Sequence, residues 1–414
     1  MKQVIVGGYF ASIPKTLTGY NTVAGGFTWA TAVENMKQAV STPGTLSNLL
    51  IELSAAPGNG NSYTITLMIN GAATGLAVTI SGTDTTGLNA GSVAVVAGDV
   101  IQIRSTYSGT PASSKARWSI LFEGTNANES LILGTTKTNT TAIRYSPIMH
   151  GDPSGGVLEN FCYQIIPTSG KIKNLYVALD ADPGDAPDAY RFTLRVNGAN
   201  SDDGAGNPLQ VTITADDTIG NDTAHEITVA VGDYVDLMIE PLDTPSAAPR
   251  VRFGFTFVAD TDGEFLLLGQ SSDTPTTTQT EYNYLVSTTY PVAWITTESQ
   301  RYQGGQPMTL KKLYVRLSNT PGIGKSYLIG VRVNGSTRIA VTIADAATTG
   351  NNVADTWDVA NFDDLNMVST PDGTPTAIMV YWGLVGFIAP PAPPYSPATR
   401  SANMGSKMVA AGMI

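Results

Sequence analysis

The chain has 414 residues, a formal charge of -11, 14 % charged residues, 42 glycines and 24 prolines. That length supports two to four ordinary domains, and the composition is that of a turn-rich β protein. The acidic balance, with no Lys/Arg-rich run, argues against a phosphate-binding surface.

One cysteine, Cys162, excludes an intramolecular disulfide and any multi-cysteine metal site. His150 and His225 offer no H-x-x-H or H-x-H spacing, which argues against zinc or haem. His150 reads as a loop residue and His225 as an exposed strand-edge residue. No apolar stretch approaches the ~20 residues of a membrane helix. The opening MKQVIVGGYFASIP carries too short an apolar run for a signal peptide, so the expectation is folding in a cytoplasm, or delivery outside by something other than a secretion signal.

The chain then repeats itself three times. Each copy opens on a short apolar strand ending in Gly: Val4 to Gly7, Leu131 to Gly134 and Leu266 to Gly269. A Thr-rich stretch follows, then a segment carrying a Glu and a Gln, from Trp29 to Gln38, Val157 to Gln164 and Trp294 to Gln303. Glu34, Glu159 and Glu298 stand 12, 13 and 12 residues before the next strand, so they belong to the repeat. Each copy supplies one such acid where paired-carboxylate hydrolysis needs two across one cleft. A hydrogen bond from this Glu to backbone at a strand end is therefore expected.

Next come Leu46 to Gly71, Ile172 to Gly198 and Leu310 to Gly335: a strand, a Pro-Gly turn, a longer strand and an Asn-Gly turn. Alternation puts Leu49, Ile51 and Leu53 on one face, with Leu175, Val177, Leu179 and Leu313, Val315, Leu317 in the same phase. This stretch reads as the central hairpin of each module. An alternating V-T-I strand follows, reached in the second copy through the insertion ANSDDGAGNP, which should be a surface loop. Gly98-Asp99 and Gly232-Asp233 signal a second hairpin. The third copy has Asn361-Phe362-Asp363 there, which leaves its turn type open. Each copy closes on an aromatic strand with Trp118, Ile120 and Phe122, then Phe253, Phe255 and Phe257, then Trp382 and Leu384.

About eight short strands per copy suit an all-β fold of three tandem antiparallel sandwiches of jelly-roll type, at residues 1–128, 129–262 and 263–389. Residues 390–414 read as a Pro-rich extended arm that docks on another chain, with Tyr395, Met404 and Met408 as its contact residues. Tyr176 and Tyr314 fall opposite the apolar stripe of their strand, and Arg195 and Arg332 face outward from the next one. A Tyr with a cross-strand Arg suits a sugar or a protein partner, and packing against a neighbouring module is the favoured alternative. Asp202, Asp203, Asp216 and Asp217 are the candidates for a Ca2+ site of oxygen ligands, without the EF-hand spacing; as turn residues they would instead serve their own loops. No G-x-S-x-G, P-loop or other cofactor motif is present, so no cofactor and no catalysis are expected.

The repeated pattern, with its PG turn, sY-x-x-x-l-x-VNG strand, V-T-I strand and V-A-x-GD turn, resembles modules in structural proteins of tailed bacteriophages over residues 4–388. The resemblance implies a virion component such as a capsid decoration protein, head fibre or tail-associated protein. Its partners would be other virion proteins and copies of itself, and not nucleic acid or membrane. The alternative is a receptor- or carbohydrate-binding protein of the particle, taking a glycan or host receptor.

Overall fold

A computed structural model describes residues 1–150, 156, 158–286 and 293–390, and of Glu34 and Asn35 the main chain alone. The first copy contains β1 (Lys2–Tyr9), β2 (Gly19–Asn21), β3 (Gln38–Ala39), β4 (Gly44–Leu53), β5 (Gly58–Ile69), β6 (Ala72–Gly82), β7 (Thr86–Val95), β8 (Val100–Ser108) and β9 (Ala116–Gly124). The second contains β10 (Glu129–Lys137), β11 (Arg144–Ser146), β12 (Gln164–Ile165), β13 (Gly170–Leu179), β14 (Ala189–Val196), β15 (Ala199–Asn200), β16 (Gln210–Thr214), β17 (Ile219–Val229), β18 (Tyr234–Leu242) and β19 (Arg250–Ala259). The third contains β20 (Glu264–Ser271), β21 (Glu281–Asn283), β22 (Gln303–Gly304), β23 (Met308–Leu317), β24 (Gly322–Val333), β25 (Ser336–Asp345), β26 (Thr349–Val359), β27 (Asp364–Asp372) and β28 (Val380–Phe387).

Six antiparallel sheets result, two per copy. In the first copy they run β1-β9-β4-β7 and β2-β8-β5-β6, with β3 also on β8. β2 and β3 are the two ends of one interrupted strand, so the pairing is first with eighth, second with seventh, third with sixth and fourth with fifth. That is a jelly roll. β10-β19-β13-β17 with β11-β18-β14-β16, and β20-β28-β23-β26 with β21-β27-β24-β25, repeat it. Between the sheets lie the residues whose phase the sequence shows: Leu49, Ile51, Tyr63, Ile65, Trp118, Ile120 and Phe122 are all fully buried. Each such side chain contributes about 1.5–3 kcal/mol by leaving water.

Two expected hairpins are absent. β23 pairs with β26 and β28, whereas β24 pairs with β25 and β27, so the Pro-Gly turn carries the chain from one sheet to the other. The Gly-Asp turn does the same between β7 and β8. Alternation reports which face is buried but not which strand is the neighbour, and in a rolled sandwich sequential strands alternate sheets. A bulge also went unread. Leu46 and Leu49 are both buried although an odd step separates them, because Asn48 adopts φ 53° and the register slips. Asn174 and Lys312 do likewise, at φ 53° and 54°.

The Asn-Gly turns are true hairpins. Asn70 and Gly71 both have positive φ, as do Asn197 with Gly198 and Asn334 with Gly335, which is the type I′ signature. Each Asn side chain also clamps the Gly-Asp turn: Asn70 Nδ2 donates to Asp99 Oδ1 at 2.7 Å and its Oδ1 accepts from the Val100 N–H at 2.9 Å. The third copy keeps this clamp between Asn334 and Asp363, and Phe362 takes the left-handed role of the missing glycine at φ 67°.

Candidate functional site

The chemistry concentrates where one sandwich meets the next. At the Gln of each repeat, Gln38, Gln164 and Gln303, exposure is zero. Gln38 Oε1 accepts from Val23 and Ala24 N–H at 3.0 and 2.9 Å, and its Nε2 crosses to the second copy, donating to the His150 carbonyl at 3.1 Å. Gln303 holds both polar groups of Val286 at 2.9 Å and reaches the Gly25 carbonyl of the first copy at 3.3 Å. Gln164 holds Met149 in the same way, and the Met149 sulfur accepts from the Leu268 N–H of the third copy. His150 lies outside the strands, as a loop residue should, and is buried at the joint.

The joints also need close backbone approach. A Cβ on Gly254 would stand 2.1 Å from the Ala39 carbonyl oxygen, and one on Gly383 would stand 1.9 Å from that of Ile165. Copy one therefore docks on two, and two on three. Copy three returns to one: Gln306 Nε2 donates to the Asn48 carbonyl at 2.9 Å and to Ser119 Oγ at 3.2 Å. The contacts follow one cyclic order, so the chain closes into a ring about a pseudo-threefold axis. Val4, Leu131 and Leu266 of the three opening strands meet around one small apolar cavity.

Each joint carries its own polar chemistry. Between the first two copies, Glu129 accepts from Thr42 and pairs with Lys173 at 2.8 Å. Between the second and third, Glu264 accepts from Thr168 at 2.5 Å and pairs with Lys311 and Lys312. Burial works against the Glu264 carboxylate, but these donors outweigh it and hold its pKa below the usual range. At the closing joint Arg117 binds Glu52 of its own copy and Asp364 of the third, under the ring of Tyr302. Loss of solvent, only partly offset by Arg117, pushes the Asp364 carboxyl up to about 6.

Tyr176 and Arg195 do not meet, and neither do Tyr314 and Arg332: each Tyr lies on one sheet of its sandwich and the Arg on the other. Tyr176 approaches Gly98 of the preceding copy. Arg195 Nε donates to Glu159 at 2.6 Å and Arg332 Nε to Glu298 at 2.6 Å. In the second and third copies the recurrent Glu therefore binds a guanidinium and not backbone; the Glu34 side chain lies outside the described residues. The sequence signal lies in the Arg that the second and third copies share at the position of Met68 in the first. Asp202 and Asp203 accept from the amides of their own loop, Gly204 and Gly206 for the first, Ala205 and Asn207 for the second. Asp216 and Asp217 sit in the separate turn between β16 and β17. Among the described residues no group of three or more His, Cys, Asp or Glu is placed to hold a metal ion. Tyr395, Met404 and Met408 lie outside the described residues.

Fold and joints together define a single-chain, pseudo-trimeric jelly-roll protein. No protein-family model matches the chain, and no curated protein matches it. No helix among the described residues is long and apolar enough to cross a membrane.

Proposed function

We propose that this is a non-enzymatic virion structural protein, a capsid decoration or head-fibre/tail-associated component that assembles on a repetitive particle surface. The observation that carries this reading is ring closure: three jelly rolls lock head to tail through buried joints, giving a rigid body that presents three related but unequal outer faces. Heterologous contacts that close in this way leave the molecule finite, suited to occupying a lattice site without polymerising. Tandem copies also raise the effective concentration of any weak lattice contact. Both connections lie on one side of the ring, where Asn128 binds Asp262. The described chain ends beside them, with the Ile388 N–H on the Gly263 carbonyl at 3.0 Å. The proposed arm, residues 390–414, would start from that side and bind a neighbouring virion chain.

The test is to purify the protein, mix it with particles lacking it, and image or sediment the mixture, while mass spectrometry looks for it in native virions. Stoichiometric decoration, lost on deleting the arm, supports the reading. A protein absent from virions and without affinity for particles would sink it.

The second reading, receptor or glycan binding, draws on the free loop ends of the sandwiches. In the second copy Thr140, Thr141, Pro241, Asp243, Thr244 and Pro245 line an open pocket of about 300 Å³. In the third, Ile323 stands 91 % exposed between the left-handed Gly322 and Gly324. A glycan array distinguishes this reading from the first.

A further inference from the structure

The three copies put a polar side chain at one equivalent place. Gln102, Asp236 and Asn366 lie opposite Met68, Arg195 and Arg332 on the neighbouring strand, and all point out of their sandwich. Each is nevertheless buried, at 1 %, 0 % and 0 % exposure, and neither polar atom of any of the three has a hydrogen-bond partner. In the second copy the 3-10 helix Glu159–Phe161 and the Cys162 that follows it lie at this face: Glu159 binds Arg195, and both Glu159 and Cys162 are close enough to interact with Asp236.

Two copies carry an amide here and one an acid, and the difference matters. An amide in a closed site is neutral at any pH. A carboxylate there would be an unpaired buried charge, which costs more than any neutral polar group. Among the described residues, the charged and titratable groups around Asp236 are Arg195 on β14, Tyr145 on β11, Glu159 on the 3-10 helix, and Cys162 and Tyr163 beyond it. β12 adds Gln164 and Ile165, which do not titrate. The one cation there among the described residues, Arg195, is already committed. Its Nε goes to Glu159, one Nη to Asn200 and the other to the Gly198 carbonyl. Arg332, beside the neutral Asn366, has the same arrangement with Glu298, Thr337 and Gly335.

We propose that the second copy contains a proton-operated latch: Asp236 closes a cover, the segment Glu159 to Cys162, while it is protonated, and loss of its proton opens the cover and exposes Cys162. Burial, reinforced by Glu159, pushes the Asp236 carboxyl well above the usual range. The closed form is therefore favoured at low pH and lost as pH rises through the folded-state value. The geometry supplies its own reporter, because Cys162 is the chain's single cysteine and is buried.

The full-length protein is labelled at Cys162 with a maleimide between pH 6 and 10, as wild type and as Asp236→Asn, with far-UV circular dichroism at each pH. Dividing the two rates removes the ionisation of the exposed thiol, and in the closed form the Asp236 charge only slows wild-type labelling, because it raises the Cys162 thiol further. The wild-type/variant ratio is expected to climb, by up to about tenfold per pH unit beyond the opening point, while the β spectrum is unchanged. A ratio that stays within twofold over the whole range overturns the latch, as does loss of the β spectrum in step with labelling. Asn366→Asp tests it independently, should Asp236→Asn fold poorly. It should bring a urea midpoint that falls with rising pH relative to wild type, and a midpoint difference independent of pH overturns the proposal.

Discussion

Gln38 Nε2 lies 3.1 Å from the His150 carbonyl oxygen, 112 residues away in sequence and in a different sandwich. The same side chain satisfies two amides of its own copy, so one residue orders a loop and docks a neighbour. Gln38→Leu keeps the volume and orphans Val23 and Ala24 N–H. Each buried unsatisfied group costs about 1–3 kcal/mol, so a loss of roughly 2–5 kcal/mol is expected, read from urea unfolding.

Arg332 and Glu298 should behave as a coupled pair. Arg332→Met alone leaves the Glu298 carboxylate, 17 % exposed, without its guanidinium. Met is tolerated by the fold, since Met68 holds this place in the first copy. A double-mutant cycle with Glu298→Gln should therefore show a coupling energy of about 1–3 kcal/mol, with the double variant more stable than the sum of the singles. A coupling below about 0.3 kcal/mol would reduce the pair to a surface contact.

At the closing joint, Asp364 has its pKa pushed up to about 6 by burial, against the usual 3.8. The folded state then holds the proton more tightly than the unfolded chain. Its contribution is fully present below pH about 4 and is lost as pH rises through about 6. Discounted for partial exposure, about 1–2 kcal/mol should disappear between pH 4 and 7, and Asp364→Asn should flatten that part of the pH–stability profile.

Because the joints and not the connections hold the ring, cutting the chain should leave it assembled. With a protease site placed between Thr125 and Asn128, the two fragments should co-elute at the size of the intact protein on gel filtration. Separate elution at neutral pH would show that the first joint depends on the covalent link.

Much of each sandwich was legible from alternation, because a period of two fixes which side chains can be buried together. Leu175, Val177 and Leu179 are buried as that pattern requires, and Asn-Gly announced its turn because Asn and Gly accept two consecutive positive φ values at little cost. The joints were half legible. The recurrent Gln and Glu stood out by spacing, but their partners, the His150 carbonyl and the Arg195 guanidinium, are brought near only by folding.

The sequence by itself determined the three copies, the faces of their strands and the tight turns, all of which follow from local sterics and from the separation of apolar from polar side chains. Only the tertiary structure decided that Leu310 to Gly335 spans two sheets instead of forming a hairpin, that the Tyr and Arg of the second and third copies face opposite ways, and that the third copy returns to the first. Those outcomes depend on which strand finds which neighbour. That choice is settled by burial summed over the whole sandwich and by close approaches such as Gly383 against Ile165, which no local pattern records.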